Sequence, residues 1–529
     1  MPLFLIEAPG KVRRFAHLAR EIGIRNAEIV ATKGHLLGLP SSLWPVAIGS
    51  DLLDHAARQP RDLERINLIR SAARRHDIVY VATDPDQEGD VIAADIAAIL
   101  EGHTDLRRLR LPALTANGLT VALAAAGPVN IASAVPGRAR AVVDRIIGSV
   151  FSRPGRPAGR VWTALLGSWD QDLVPSAMTR VKALAADAGR HWIATLPGLH
   201  PDLPPEILTR LARATAFPAR VAPASTGELL IDAAAALDRP VKDIMDDMQE
   251  AYEAGLLSYP RASGRLIGTA GRQQIAAIAN RYALRYDPHR GESDEGAAGA
   301  HEAPHPVTDV PIASDLSSLP AMAATAAFVA RRQMEAGQDL VDETPDLGAL
   351  PPDLASLGWS RRTGWRRPRT GEQEAQLGAH LVRPDVRAVM LLLETGIGRP
   401  STFATFADQV QIRGVIGANG RINERGLHMI ESTPLTLRSP SWARFVEDSL
   451  ASWVVPSALT LDQLPVKAAN LTACVLNALP GDANDKIRSA LAGTDGQRLQ
   501  TSETAGNFLK FLQRGTARDE EDPAGPKLR

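Results

Sequence analysis

The sequence predicts a multidomain fold of α/β plus α class. An α/β domain with a mostly parallel sheet comes first, followed by largely helical stretches interrupted by proline-rich segments. Three observations predict it. The first 150 residues repeat a strand, loop, helix pattern, which places helices on the faces of a parallel sheet. Residues 115–190, 225–255 and 383–414 then carry apolar residues at helical spacing. The 529 residues are enough for about three or four domains and a large core.

Each element has a local reason. Leu3-Phe4-Leu5-Ile6 is an apolar run that ends at Glu7 and reads as a strand. Pro9-Gly10 breaks it, and Val12 to Ile22 has helical spacing. Glu28 to Thr32 reads as a second strand, ending in a Lys33-Gly34-His35 loop. Ile78 to Thr83 is the strongest strand signal, and a helix from Val91 to Leu100 follows an acidic run. The helical stretch 115–190 is broken at Arg153-Pro154-Gly155-Arg156-Pro157, and His191 to Leu196 reads as a strand. Residues 198–223 are rich in proline, 286–300 read as a polar loop, and 346–357 as a proline-rich connector. Ser441 to Trp453 and Leu464 to Leu479 read as helices, and the tail from Ala517 has a disordered composition.

Composition excludes several classes. The composition, 45% hydrophobic and 22% charged, is that of an ordinary globular protein and excludes wholesale disorder. One cysteine, Cys474, excludes zinc fingers and ribbons and a disulfide framework, which fits a reducing cytoplasm. No apolar run reaches the ~18 residues of a membrane span. The net charge of −1 gives no global attraction for nucleic acid, so any such binding must use local basic patches. Eight lysines leave 51 arginines, with clusters at Arg138, Arg140 and Arg145 and at Arg361, Arg362, Arg366, Arg367 and Arg369. They are either bidentate phosphate binders or solvated surface charge.

The chemistry concentrates at strand ends. Asp84-Pro85-Asp86-Gln87-Glu88 follows the best strand, where ligands of open α/β sheets bind. Three carboxylates at spacing two suit a hard cation such as Mg2+, and the alternative is a charged surface turn. Glu7 ends another strand, and Lys11 follows it as a partner for proton transfer or for a surface ion pair. Of five tyrosines, Tyr80 lies within a strand, Tyr252 within a helix, and Tyr282 and Tyr286 at packing spacing. Tyr259 alone lies beyond a helix end, in a Tyr-Pro-Arg context, where a covalent nucleophile is plausible chemistry.

These residues resemble a known family. Leu3 to Lys11, Gly34-His35, and Asp84, Asp86, Glu88 and Gly89 are similar to the Toprim domain of type IA DNA topoisomerases. Ala158-Gly159-Arg160-Val161, Leu256 to Arg261, Ala300-His301-Glu302-Ala303 and Thr395 to Thr402 resemble four downstream motifs of that family. Val142 to Gly148 fits an additional helix.

The resemblance implies a toroidal enzyme that cleaves single-stranded DNA with Mg2+ and without ATP, passes a strand and reseals the break. It implies Tyr259 as nucleophile, Arg261 on the scissile phosphate, and Glu7 with Lys11 at the leaving 3′ oxygen. It also implies His301 on the scissile strand. Asp84, Asp86 and Glu88, with Glu7 nearby, would hold Mg2+. His35, Arg145, Arg160, Arg399, Ser401 and Thr402 would contact DNA. The implied domains are Toprim (1–125), winged-helix-like (126–190 and 383–450), a strand-rich arch (191–226 and 340–382), a helical domain with the tyrosine (227–339), and a helical extension (451–529). Zinc ribbons are not expected. The expected setting is a cytoplasmic, nucleoid-associated monomer acting on single-stranded or negatively supercoiled DNA, with a helicase as a further partner. Ala262-Ser263, Gln87, Trp162 and Pro304-His305-Pro306 depart from the family pattern. A Toprim nuclease or an inactive DNA-binding relative is the alternative reading.

Overall fold

The computed structural model describes residues 1–103, 105–171, 177–185, 190–209, 213–290, 302–312, 315–363, 378–456 and 458–495. His301, the arginines Arg366, Arg367 and Arg369, and the tail from Ala517 lie outside the described residues.

The N-terminal sheet is built from the predicted strands. Its order is Glu28–Ala31, Pro2–Ile6, Ile78–Ala82, Leu106–Arg108, Gly127–Pro128. The first three junctions are parallel and the last antiparallel. Period-two alternation gives the central strand two buried faces. Leu3 and Leu5 pack with Val79, Val81 and helices Leu63–Ala73 and Gln87–Ile99. Phe4 and Ile6 pack with Phe15 and Leu18 of helix Lys11–Glu21, and also with Tyr252 and Tyr259. The second face is therefore closed by a distant part of the chain. The pairing Ile6↔Ala82 brings the carboxyl ends of the two central strands side by side, so Glu7 and Asp84 start from neighbouring positions.

Two smaller sheets follow. Ala177–Ala185 pairs with His191–Pro197 and Gly378–Leu381 antiparallel and with Glu206–Thr209 parallel. Leu340–Pro345 pairs antiparallel with Ala214–Ala219 and Arg361–Thr363. The strand at 177–185 was expected to be helical. Its alanine-rich sequence has no helical stripe to bury, and cross-strand pairing decides its conformation.

One helical core joins Arg160–Asp170, Thr226–Leu237, Val241–Glu253, Ala321–Met334, Pro384–Thr395 and Pro400–Arg413. The stretch of helical spacing over 225–255 is divided into two helices at Asp238, which is left-handed with φ 49°, ahead of Pro240. The stretch 383–414 breaks at Gly396 and Gly398, both at positive φ. Helix Val135–Phe151 packs with Pro440–Ala451 and Gln463–Asn477 in another core that runs on to Leu491. The C-terminal helices are thus built onto the helix at 135–151. No helix among the described residues is long and apolar enough to cross a membrane.

Candidate active site

The acidic run is half turn, half helix. Helix Gln87–Ile99 begins inside it, four residues earlier than its apolar spacing suggested. Asp86 is its N-cap and accepts the Gly89 N–H at 2.8 Å. Gly89 is required by space: a Cβ there would lie 1.9 Å from the Asp84 carbonyl oxygen. That close approach folds the run back so that Asp84 and Asp86 face Glu7.

Every carboxylate here already has a partner. Lys11 is buried and ion-paired with buried Asp84. The Asp84 N–H donates to Glu7 Oε2 at 3.3 Å. Burial, then the negative charges of Asp84 and Asp86, push the Glu7 carboxyl up to about 7, although Lys11 pulls the other way. Glu88 turns away from this group. His35 Nε2 lies 2.9 Å from its Oε2 and the Arg399 guanidinium 2.8 Å from its Oε1. Burial favours the neutral acid, but His35 and Arg399 together win and hold Glu88 down at about 2.

Tyr259 is delivered onto this loop from the helical region. Helix Val241–Glu253 ends at Gly255, whose φ of 75° reverses the chain, and a Cβ there would meet Leu114 O at 2.8 Å. The returning segment is tied on both sides: the Ser258 N–H donates to His305 O, and the Tyr259 N–H to Pro112 O, each at 2.8 Å. His305 is buried, with its ring 3.2 Å from the Ser258 hydroxyl. The result places the Tyr259 hydroxyl as a donor to Asp86 Oδ2 at 2.6 Å. Its ring meets Tyr252 edge-on at 5.6 Å, and the Lys11 ammonium lies 4.8 Å over the Tyr252 ring. Burial, followed by Asp86 and Asp84, raises the Tyr259 phenol far above its ordinary value. Burial alone would lower the Arg261 guanidinium, but neighbouring Tyr259, Asp84 and Asp86 raise it.

The DNA-contact expectations separate. His35 and Arg399 stand at the site, as clamps on Glu88. Thr402 Oγ1 accepts the Arg399 N–H at 3.1 Å and so fixes the start of helix Pro400–Arg413, with half-buried Ser401 in its first turn. Arg160 is instead buried, bound to Asp144 at 2.9 Å and to Glu447 at 2.7 Å. Arg145 is buried too and spends its guanidinium on the carbonyls of Pro40, Pro45 and Val46. Arg138 pairs with Asp54, and Arg140 with Gln87 and Glu447. This predicted basic cluster is therefore internal structure. Glu447, which joins Arg140 to Arg160, belongs to no motif and carries no sequence signal.

Mg2+ was expected on Asp84, Asp86, Glu88 and Glu7. The donor set is all oxygen and suits a hard cation. The geometry does not fit a ready cage: among the described residues, no three His, Cys, Asp or Glu side chains are gathered to hold a metal ion. The reason is local. Lys11 takes Asp84, the Tyr259 hydroxyl takes Asp86, and His35 with Arg399 draws Glu88 aside.

Comparison with known proteins follows the same lines. Residues 2–113 match the Toprim domain. A reverse gyrase of Pyrobaculum aerophilum is 29% identical over 273 residues, 48% of this chain and 22% of that protein. DNA topoisomerase 1 of Salmonella typhimurium is 25% identical over 424 residues, 67% of this chain and 49% of that one. DNA topoisomerase 1 of Campylobacter jejuni is 31% identical over 173 residues, 31% and 24% of the two chains. The matches span about half or less of these relatives' lengths. Full-length topoisomerase I of Thermotoga maritima shares the fold, with a TM-score of 0.59 at 16% identity over 92% of this chain and 90% of that one.

Proposed function

We propose that this chain is a type IA DNA topoisomerase, and that it cleaves and reseals single-stranded DNA through a covalent bond to Tyr259. One observation supports the reading most. The single tyrosine in a Tyr-Pro-Arg context meets the Toprim acidic loop across 173 residues of sequence, with its hydroxyl 2.6 Å from Asp86.

The side chains can share out the steps. The Tyr259 oxygen attacks a backbone phosphorus and forms an O–P ester while the bond from phosphorus to the 3′ oxygen breaks. The phenolic proton passes to Asp86, its hydrogen-bond acceptor. Arg261 offsets the charge that develops on the phosphate and on the phenol oxygen. The departing 3′ oxygen takes a proton from Glu7, whose raised pKa of about 7 keeps a protonated fraction near neutral pH. Lys11 holds Asp84 and so supports the position of Glu7. Resealing runs these transfers backwards: the 3′ hydroxyl attacks, Glu7 recovers its proton, and Tyr259 leaves with the proton from Asp86. Passage of a strand through the open break would relax negative supercoils or unlink DNA, with no step that consumes ATP. A divalent cation would have to displace Lys11 from Asp84 or the tyrosine hydroxyl from Asp86 before those oxygens could bind it.

Gel assays on negatively supercoiled plasmid test the reading. The parent protein is expected to produce a ladder of relaxed topoisomers, and Tyr259→Phe to produce none while binding DNA as before. Relaxation that survives in Tyr259→Phe refutes it. Nicked products without a covalent adduct would favour the nuclease alternative.

A further inference from the structure

The segment that delivers Tyr259 is paired with a second segment, and one side chain locks the two together. Residues 256–258 and 305–307 run antiparallel, with Leu257 opposite Pro306. The Ser258 N–H donates to His305 O at 2.8 Å, and the Val307 N–H to Leu256 O at 3.0 Å. The return bond goes to a side chain: the His305 N–H donates to the Ser258 hydroxyl at 3.0 Å. The His305 ring then folds back over this pair. Its Nδ1 lies 2.8 Å from Ala303 O and 3.2 Å from the Ser258 hydroxyl. A carbonyl oxygen only accepts, so Nδ1 carries a proton and donates it to Ala303.

The second segment is itself anchored. The Ala303 N–H donates to Leu266 O at 2.7 Å. The amide of Gln333, fully buried in helix Ala321–Met334, donates to Pro304 O at 2.7 Å and to Ala224 O at 2.8 Å. The imidazole is buried and fills the space over Gly271, at the start of helix Thr269–Arg281, where a Cβ would lie 2.5 Å from Nε2. Nε2 faces the Glu302 carboxylate at 3.6 Å, too far for a hydrogen bond. Burial pushes the imidazolium below its ordinary value, although the Ala303 carbonyl and Glu302 pull the other way. The ring is thus a neutral wedge, oriented by its Nδ1 proton.

We infer that His305 is a positioning residue for the cleavage step, which through Ser258 fixes the backbone that carries Tyr259 and so the aim of the Tyr259 oxygen. Ser258 immediately precedes Tyr259, whose own N–H is tied to Pro112 O on the other side at 2.8 Å. From between these two ties the hydroxyl reaches Asp86 at 2.6 Å. In-line attack needs that oxygen in place, and a misplacement of about 1 Å costs about 100-fold in rate. The hydrogen bonds of His305 go to Ser258 and Ala303, so it acts through its neighbour and is not a catalytic residue. It lies in Pro304-His305-Pro306, which departs from the family pattern, so the resemblance assigns it no role. The inference rests on the reading of Tyr259 as nucleophile, and deepens it by naming what holds the nucleophile in place.

The test uses the full chain and one labelled single strand. Single-turnover adduct formation at saturation gives the rate, and anisotropy in a Tyr259→Phe background gives the affinity. His305→Leu should form adduct about 10- to 100-fold more slowly, with affinity within about twofold of the parent. His305→Asn, whose amide puts an N–H where Nδ1 stands on a side chain shaped like leucine, should recover most of the rate. Ser258→Ala removes the acceptor of the His305 N–H and should also slow the step, which keeps the inference testable if His305→Leu does not fold. A merely structural role would make rate follow stability, so Ile275→Ala, a truncation at a fully buried position of helix Thr269–Arg281, is the control. It should melt earlier yet react at the parental rate where it is folded. Parental rates in His305→Leu and Ser258→Ala overturn the inference, as do equal losses for leucine and asparagine, or a fall in affinity as large as the fall in rate. In each of these the parent still forms adduct and the cleavage reading stands. Absence of any adduct in the parent overturns that reading, and this inference with it.

Discussion

Replacing Glu447 by alanine should destabilise the protein more than any other single carboxylate lost from the inner arginine network. Its carboxylate bonds Arg140 at 3.0 Å and Arg160 at 2.7 Å, and the three side chains are only 12%, 6% and 2% exposed. Arg160 keeps Asp144 and a carbonyl at Ala443, whereas among the described residues Arg140 keeps the hydrogen bond to Gln87 Oε1, at 2.5 Å. Removing one partner of a buried pair leaves a cation with no compensation and costs about 3–5 kcal/mol. Here two cations lose the same partner, so the upper part of that range applies. Asp144→Ala is the control: that carboxylate is 45% exposed, and its loss should cost about 1 kcal/mol or less. Urea unfolding followed by tryptophan fluorescence compares the variants under one protocol, since a chain with several cores need not unfold in one step. The pH dependence adds a second reading. Burial favours the neutral acid, but Arg160 and Arg140 hold Glu447 below its ordinary 4.5. Its contribution is thus complete above that value and declines as pH falls through the folded-state pKa. The advantage of the parent over Glu447→Gln should shrink in acid. A loss for Glu447→Ala no larger than that for Asp144→Ala would refute the reasoning.

Two further outcomes follow from the site. Single-turnover cleavage should fall as pH rises through about 7, because Glu7 must be protonated to supply the leaving oxygen, and Glu7→Gln should be slow with no such limb; an unchanged alkaline limb in Glu7→Gln assigns the proton elsewhere. Gly89→Ala puts a Cβ 1.9 Å from backbone at Asp84, so calorimetry should show a loss of about 1–3 kcal/mol and cleavage should fall at least about tenfold; parental cleavage would show that the turn is not what positions Asp84 and Asp86.

The parts of this protein legible in the sequence are those that local pattern decides. Leu3 to Ile6 and Ile78 to Ala82 are apolar runs buried on both faces, so a parallel sheet and its loaded carboxyl ends followed directly. The meeting of Tyr259 with Asp86 was legible only through motif resemblance, because nothing local to either residue points to the other. Arginine was the least legible residue type. Arg138, Arg145 and Arg160 look like phosphate binders in sequence, yet each is buried against a partner between 16 and 105 residues away. The surroundings of the carboxylates were equally hidden: their spacing suits a metal, while Lys11, Tyr259, and His35 with Arg399 engage Asp84, Asp86 and Glu88 in turn. The strand Ala177–Ala185 was hidden because alanine carries little pattern of either period.

The most direct measurement is peptide mapping of the protein trapped on a cleaved, radiolabelled single strand. The account predicts one labelled peptide, with the 5′ phosphate of the DNA esterified to the Tyr259 oxygen, and none from Tyr259→Phe. Label on Tyr252 or Tyr282, or on no residue at all, would contradict it.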